Sequence, residues 1–252
     1  MILQLKDVNY TVNDIDILKN VNLSVKKNSV KVILGSSGSG KTTVLRLTLG
    51  LLKPSSGSII VDDEEITHMS EEELYNVRLK MGMVFQGNAL FDSFTVGENV
   101  AYRLRILKKD ESLIVDRVRE SLRFVGIEHT INMMPAELSG GMKKRVAIAR
   151  SIASSPKLIL YDEPTAGLDP ANAYNVCKLI IDLRDKSGIS SVVITHELQY
   201  AFLIADEISV IQTGEVIFNG TTEELLISKD PKVRSSFGHT HIQGIIRKLG
   251  GF

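Results

Sequence analysis

The chain has a single cysteine, Cys177, which excludes an intrachain disulfide and any cysteine-cluster metal site. Cys177 falls in a helical apolar run with Val176, Leu179, Ile180 and Leu183, so a core position is expected for it. Net charge is also missing. Thirty basic residues balance thirty acidic ones, and no electrostatic case for bulk nucleic-acid binding remains. No apolar run approaches the ~18 residues needed to span a bilayer. The N-terminus shows no basic-then-apolar signal pattern, so a cytosolic chain that meets a membrane only through a partner is expected. No Pro/Ser/Gly linker and no internal repeat divides the 252 residues, which read as one large domain or a domain with an insertion.

What is present centres on Gly35-Ser36-Ser37-Gly38-Ser39-Gly40-Lys41-Thr42, which fits G-x-x-x-x-G-K-[ST]. Val30–Leu34 before it reads as a short buried strand, and Thr42–Leu52 after it has helical apolar spacing. The motif requires that strand–loop–helix context. Glycines let backbone N–H groups crowd a polyphosphate, and the helix start adds partial positive charge. Lys41 is placed to reach the β- and γ-phosphates, and the Thr42 hydroxyl to ligate Mg²⁺.

Upstream, residues 3–10 and 17–26 alternate as half-buried strands around an Asn13-Asp14 turn. Tyr10 ends the first, where its ring could pack or stack on a base. Ser70-Glu71-Glu72-Glu73 reads as a capping box, and Met81–Phe85 as a strand followed by Gln86, a loop residue or a metal contact. From Ala89 to Ser154 the pattern is largely helical. Two amphipathic helices are read from Val96, Val100, Leu104, Leu107 and from Leu113, Val118, Leu122, Val125. Leu138-Ser139-Gly140-Gly141-Met142 opens a third, an N-cap or a second anion-binding helix start.

Lys157–Glu163 is a buried strand ending in two carboxylates, at the strand end where α/β folds bind ligands. Asp162 suits Mg²⁺ held through water, and Glu163 suits orienting or deprotonating an attacking water. Asp169-Pro170 opens a helix. Ser190–Thr195 is another strand, ended by His196, whose imidazole can donate to a γ-phosphate oxygen or to the water. A hairpin around Thr213-Gly214 and a capped helix at Thr221 follow. In the tail, Ile242, Ile245, Ile246 and Leu249 form a short apolar stripe, too short to be stable alone, which docks on its own domain or on another subunit, or frays.

Taken in order, Tyr10, Gly35–Thr42, Gln86, Leu138-Ser139-Gly140-Gly141, Asp162-Glu163, Ala166-Gly167-Leu168-Asp169 and His196 resemble the ATP-binding-cassette ATPases. The resemblance covers residues 1 to about 228. It implies an α/β fold: a RecA-like P-loop NTPase core with an antiparallel β subdomain and a helical subdomain inserted at 88–155, inside a domain of residues 2–238. Residues 239–252 are then a tail available for subunit contact. It implies ATP held by Gly35, Ser36, Ser37, Gly38, Ser39, Gly40, Lys41, Thr42 and Thr43, with Tyr10 on adenine and Mg²⁺ near Thr42, Gln86 and Asp162. Ser139, Gly140 and Gly141 of a second copy would cap the γ-phosphate. Glu163 would polarise the water, His196 would sense the γ-phosphate, and Asp169 would link the sites. The family pattern often has Gln where Met142 stands, a change that leaves the backbone donors intact.

The runs Phe85–Val96 and Leu138–Arg145, with Asp230–Arg234, look like the ATPase subunits of Mla/Mce-type lipid transporters. That likeness implies a transport ATPase at the cytoplasmic face of the inner membrane. Its partners would be an integral permease, a small regulatory subunit and a lipid-binding component, with phospholipid or another apolar lipid as cargo. A cassette of another transporter class is the alternative. A soluble cassette acting on ribosomes or DNA usually has two cassettes or a long coiled-coil insertion, and a P-loop kinase has no Leu-Ser-Gly-Gly segment.

Overall fold

A computed structural model of the chain describes residues 1–237, so the stripe expected in the tail lies outside them. Strands β1 (Leu3–Val12) and β2 (Ile15–Val25) form the expected hairpin, turned by Asn13 and Asp14 at φ 48° and 62°. Asn and Asp tolerate that left-handed conformation, and its twist matches paired strands. Next come β3 (Val30–Leu34), helix α1 (Lys41–Thr48), β4 (Ser56–Val61), β5 (Glu64–Glu65), α2 (Glu71–Leu79) and β6 (Met81–Val84). Three helices follow: α3 (Val96–Ile106), α4 (Glu111–Phe124) and α5 (Gly140–Ile152). The chain returns through β7 (Leu158–Asp162), α6 (Pro170–Ser187), β8 (Ser190–Thr195), α7 (Leu198–Ile204), β9 (Glu207–Gln212), β10 (Glu215–Gly220), α8 (Thr222–Ile227) and α9 (Pro231–Phe237).

The strands build two sheets. One is antiparallel, in the order β2-β1-β4-β5. The other runs β10-β9-β3-β8-β7-β6, parallel except for β10. Strand β3 is buried along its whole length, and its period-2 alternation feeds two cores. Val30, Val32 and Leu34 face α3 to α7, whereas Ile33 joins α1 and the antiparallel sheet. Register then decides where the ends fall. Leu34 pairs with Thr195, and Ile194 with Asp162, so three parallel strands stop level with one another. The residues that follow them open on a single edge.

Capping follows the expected chemistry. Ser70 and Glu73, and Thr221 and Glu224, form reciprocal boxes. Thr95 and Glu98 form a third that the helical spacing alone did not reveal. Helix α1 is shorter than expected, ending at Thr48 instead of Leu52. Gly50 at φ 64° closes it: its N–H bonds Leu47 O at 2.9 Å, and the Leu51 N–H bonds Arg46 O at 2.9 Å. That pair of bonds is a Schellman stop. On α4 the stripe is Ile114, Val118 and Leu122, while Leu113 is exposed, one position off the buried face. Its spacing of five from Val118 fits a helical face less well than Ile114's spacing of four.

Cys177 lies in the core on the buried face of α6, as expected, with burial pushing its thiol up to about 12. A thiol reagent at pH 8 is expected to leave the folded protein unlabelled and to react once denaturant opens the core, since the thiolate is the nucleophile. Mass spectrometry of labelled protein across a urea series checks this; labelling at native urea concentrations contradicts it.

Candidate nucleotide site

Three strand ends on one edge, β3, β7 and β8, surround a cavity of 530 Å³. Ser36, Ser37, Gly38, Gly40, Lys41, Thr42, Thr43, Gln86, Asp162, Glu163 and His196 line it, all named from sequence. Ile17 and Ile194 complete the lining. An alternating strand gives no sign that Ile17 in β2 reaches a ligand cavity instead of a core.

The phosphate loop is built by close approach. A Cβ on Gly35 would lie 2.3 Å from Ile211 O, so only glycine lets the loop pass the neighbouring strand. Gly40 caps α1 at φ 104°, and a Cβ there would meet Leu18 at 2.6 Å. Its cap has no side-chain bond, so the first N–H groups of α1 are left for an anion. Gly35 and Ser39 stand behind the loop instead of lining the cavity. The Ser39 hydroxyl is buried there without a partner. Lys41 Nζ donates to Gly35 O and Ser36 O, both at 2.8 Å. Burial lowers the Lys41 pKa, with Glu163 and Asp162 opposing it. A buried ammonium bonded only to neutral carbonyls suits a polyphosphate in this cradle.

Thr42 Oγ1 and Asp162 Oδ2 are 3.5 Å apart, and Gln86 shares their cavity. Burial, then the neighbouring Glu163, pushes the Asp162 carboxyl above its usual range; Thr42 and Lys41 offset this in part. A hard cation fits this oxygen set, and Mg²⁺ held by Thr42, Gln86 and Asp162 would supply the positive charge that Asp162 lacks.

Glu163 is nearly buried. Its backbone sits at φ 47°, rare for a non-glycine, and its N–H bonds Ile194 O at 3.0 Å. That turn aims the side chain into the cavity. His196 Nδ1 donates to Glu163 Oε1 at 3.0 Å, while Oε2 is buried without a partner. Glu163 lines the cavity, and a carboxylate there is an acceptor for a water O–H. Lys41, Glu163 and His196 therefore converge on the place where a terminal phosphate and its attacking water would meet.

The remaining residues named from sequence form a second group, outside this cavity. Ser139 caps α5, accepting from Met142 N at 3.3 Å, with Gly140 and Gly141 as the first helical residues. Asp169 caps α6, accepting from the Ala171 and Asn172 N–H groups. Asn172 joins them: it donates to Asp169 at 2.6 Å, and a Cβ on Gly141 would lie 2.6 Å from its side chain. Tyr10 is half-buried in β1, opposite Leu18, and does not line the cavity. Sequence reading also missed Lys144. It is 1% exposed, burial lowers its pKa to about 8, and it bonds the backbone beside Gln86. A lysine inside a run of charges on a helix reads as solvated surface, so nothing in the pattern marks it.

Residues 18–166 match the family profile for ABC transporter. The intermembrane phospholipid transport ATP-binding protein MlaF of Haemophilus influenzae is 40% identical over 233 residues, 92% of this chain and 88% of that one. The methionine import ATP-binding protein MetN of Carboxydothermus hydrogenoformans is 42% identical over 223 residues, 88% of this chain and 66% of that one. Among solved structures, cbiO1 of Clostridium perfringens, part of the transporter complex cbiONQ, superposes with a TM-score of 0.86 at 34% identity, covering 98% of both chains. The cassette MJ0796, in a dimeric post-hydrolysis state bound to ADP and Pi, has a TM-score of 0.79 at 34% identity, covering 87% of this chain and 98% of that one. The cavity, its phosphate loop, its acid pair and these likenesses agree: this chain belongs to the ABC transporter family, as an ATP-hydrolysing cassette that uses ATP with Mg²⁺.

Proposed function

We propose that the chain is the ATPase subunit of a lipid-moving transporter, in which two copies close around two ATP molecules and drive a membrane permease. One observation carries the dimeric part. Ser139, Gly140 and Gly141 lie at the start of α5, away from the cavity that holds Lys41 and Glu163. Within one copy the two groups do not meet, so a second copy supplies the missing wall. Asp169, held next to Gly141 by Asn172, then sits at the joint between the two sites. The dimeric state of MJ0796 supports this arrangement.

The permease docks on a groove of 430 Å³ between β6, α3 and α5. Phe85, Phe91, Tyr102 and Ile106 are exposed around it, an apolar surface of the kind that marks a protein contact. No helix among the described residues is long and apolar enough to cross a membrane. We place the chain peripherally at the cytoplasmic face, held there by that contact. The Leu138–Arg145 run, with Met142, and the phospholipid-transport relatives support an apolar lipid as cargo. The methionine-import relatives, at similar identity, support import of a small solute as the second reading.

Complementation tests the dimer. Lys41→Ala and Ser139→Arg proteins are each expected to be inactive, and their mixture to regain about a quarter of normal turnover, because half the dimers carry one intact site. No recovery means that both groups act within one copy. For cargo, the complex with its permease is placed in lipid nanodiscs and ATP turnover is measured with added phospholipid or methionine. Stimulation by phospholipid is expected; stimulation by methionine alone selects the second reading.

A further inference from the structure

Helix α5 begins with the Ser139-Gly140-Gly141 segment and carries two cations that grip another loop. Lys144 Nζ donates to Phe85 O at 3.1 Å and Gln86 O at 2.9 Å. Arg150 donates to Asn88 O at 2.8 Å and Ala89 O at 2.6 Å. Four carbonyls within five residues of the Gln86 loop thus belong to one helix. Lys144 is 1% exposed and makes no salt bridge among the described residues. Burying an ammonium whose hydrogen bonds go to neutral carbonyls, with only the attraction of nearby Asp162 to offset it, is costly, and an apolar or amide side chain would fill the same space at less cost. The loop it holds is unusual in facing two ways. Gln86 lines the nucleotide cavity, while Phe85 and Ala89 line the apolar groove. Lys144 also stands only ~7.5 Å along the helix from Ser139.

We propose that Lys144, assisted by Arg150, is a positioning residue that binds the Gln86 loop to α5, so that the helix start, the Gln86 side chain and the apolar groove move as one body. Engagement of Ser139 to Gly141 by the partner copy's nucleotide then sets the position of Gln86 in its own cavity, without direct contact between the two. The proposal rests on the dimeric reading above for its second half. The clamp itself rests on the four bonds.

The test compares Lys144→Met and Lys144→Gln in the full chain. With Met, ATP affinity is expected within about twofold of the parent, turnover at least ~10-fold lower, and the Mg²⁺ needed for half-maximal turnover raised ~10-fold, as for lost support behind metal ligands. Gln, whose amide can still donate to one carbonyl, is expected to restore at least half of the turnover. Without nucleotide, amide exchange over residues 85–89 is expected to speed at least ~10-fold in the Met protein while residues 41–48 keep their protection. Unchanged exchange and an unchanged Mg²⁺ requirement in folded Lys144→Met protein overturn the clamp. Should that variant fail to fold, Arg150→Met is measured in the same way and decides in the same terms. A Glu163→Gln protein that remains monomeric with ATP overturns the link to the partner copy, and the exchange over residues 85–89 still decides the clamp.

Discussion

Glu163→Gln is expected to cut ATP turnover at least ~100-fold, the low end of what a positioned general base contributes, while ATP still binds. The phosphate loop and Lys41 are untouched by the change, so the ground-state contacts survive. What goes is the charge that polarises water. The Glu163 carboxylate lines the cavity, with Oε1 held by His196 at 3.0 Å and Oε2 without a protein partner. An amide oxygen there is neutral and a poor base, and an amide NH₂ there would donate where an acceptor is needed. On the proposed closure of two copies around ATP, the variant is also expected to accumulate as an ATP-bound dimer. Steady-state phosphate release, with light scattering of the same sample in ATP, measures both effects. Turnover within about threefold of the parent would remove Glu163 from the water-activating role.

Lys41→Ala acts earlier, on binding itself. Truncating one partner of a buried charge pair costs about 2–5 kcal/mol, so ATP affinity is expected to fall from ~30-fold to several thousand-fold. The fold is expected to persist. The two bonds that Lys41 makes go to Gly35 and Ser36 carbonyls beside an open cavity, where water can replace the ammonium. The alanine also removes a cation that offsets Asp162 and Glu163, which adds repulsion toward the phosphates. Calorimetric titration with ATP and Mg²⁺ checks the affinity, and a melting curve checks the fold. Undiminished affinity would mean that the loop amides alone hold the nucleotide.

Both predictions concern residues that could be named before any coordinates, because their chemistry is local. A phosphate loop is eight successive residues whose glycines, lysine and threonine each have a separate job, so the spacing alone reveals it. Capping boxes at Ser70 and Thr221 and the Asp169 cap are equally short-range, decided within three or four positions. The strand ending in Asp162-Glu163 and the strand ending at His196 could likewise be read from a buried run and the polar residue that stops it.

Distance along the chain is what hid the rest. That Asp162 and His196 stand around Lys41 follows from the register of Leu34 on Thr195 and of Ile194 on Asp162, pairings across more than thirty residues at the least. That Ser139 lies outside this cavity depends on how α5 packs against α6, with Asn172 between Gly141 and Asp169. Ile17 at the cavity wall, Ile114 instead of Leu113 on the buried face of α4, and Lys144 beneath the Gln86 loop were decided in the same way. By itself the sequence determined which groups are candidates for the chemistry, since side-chain identity and short spacing are sufficient for that. Only the tertiary structure decided which of them share a cavity and which lie outside it, because strand register and helix packing are set by burial of apolar faces between segments far apart in the chain.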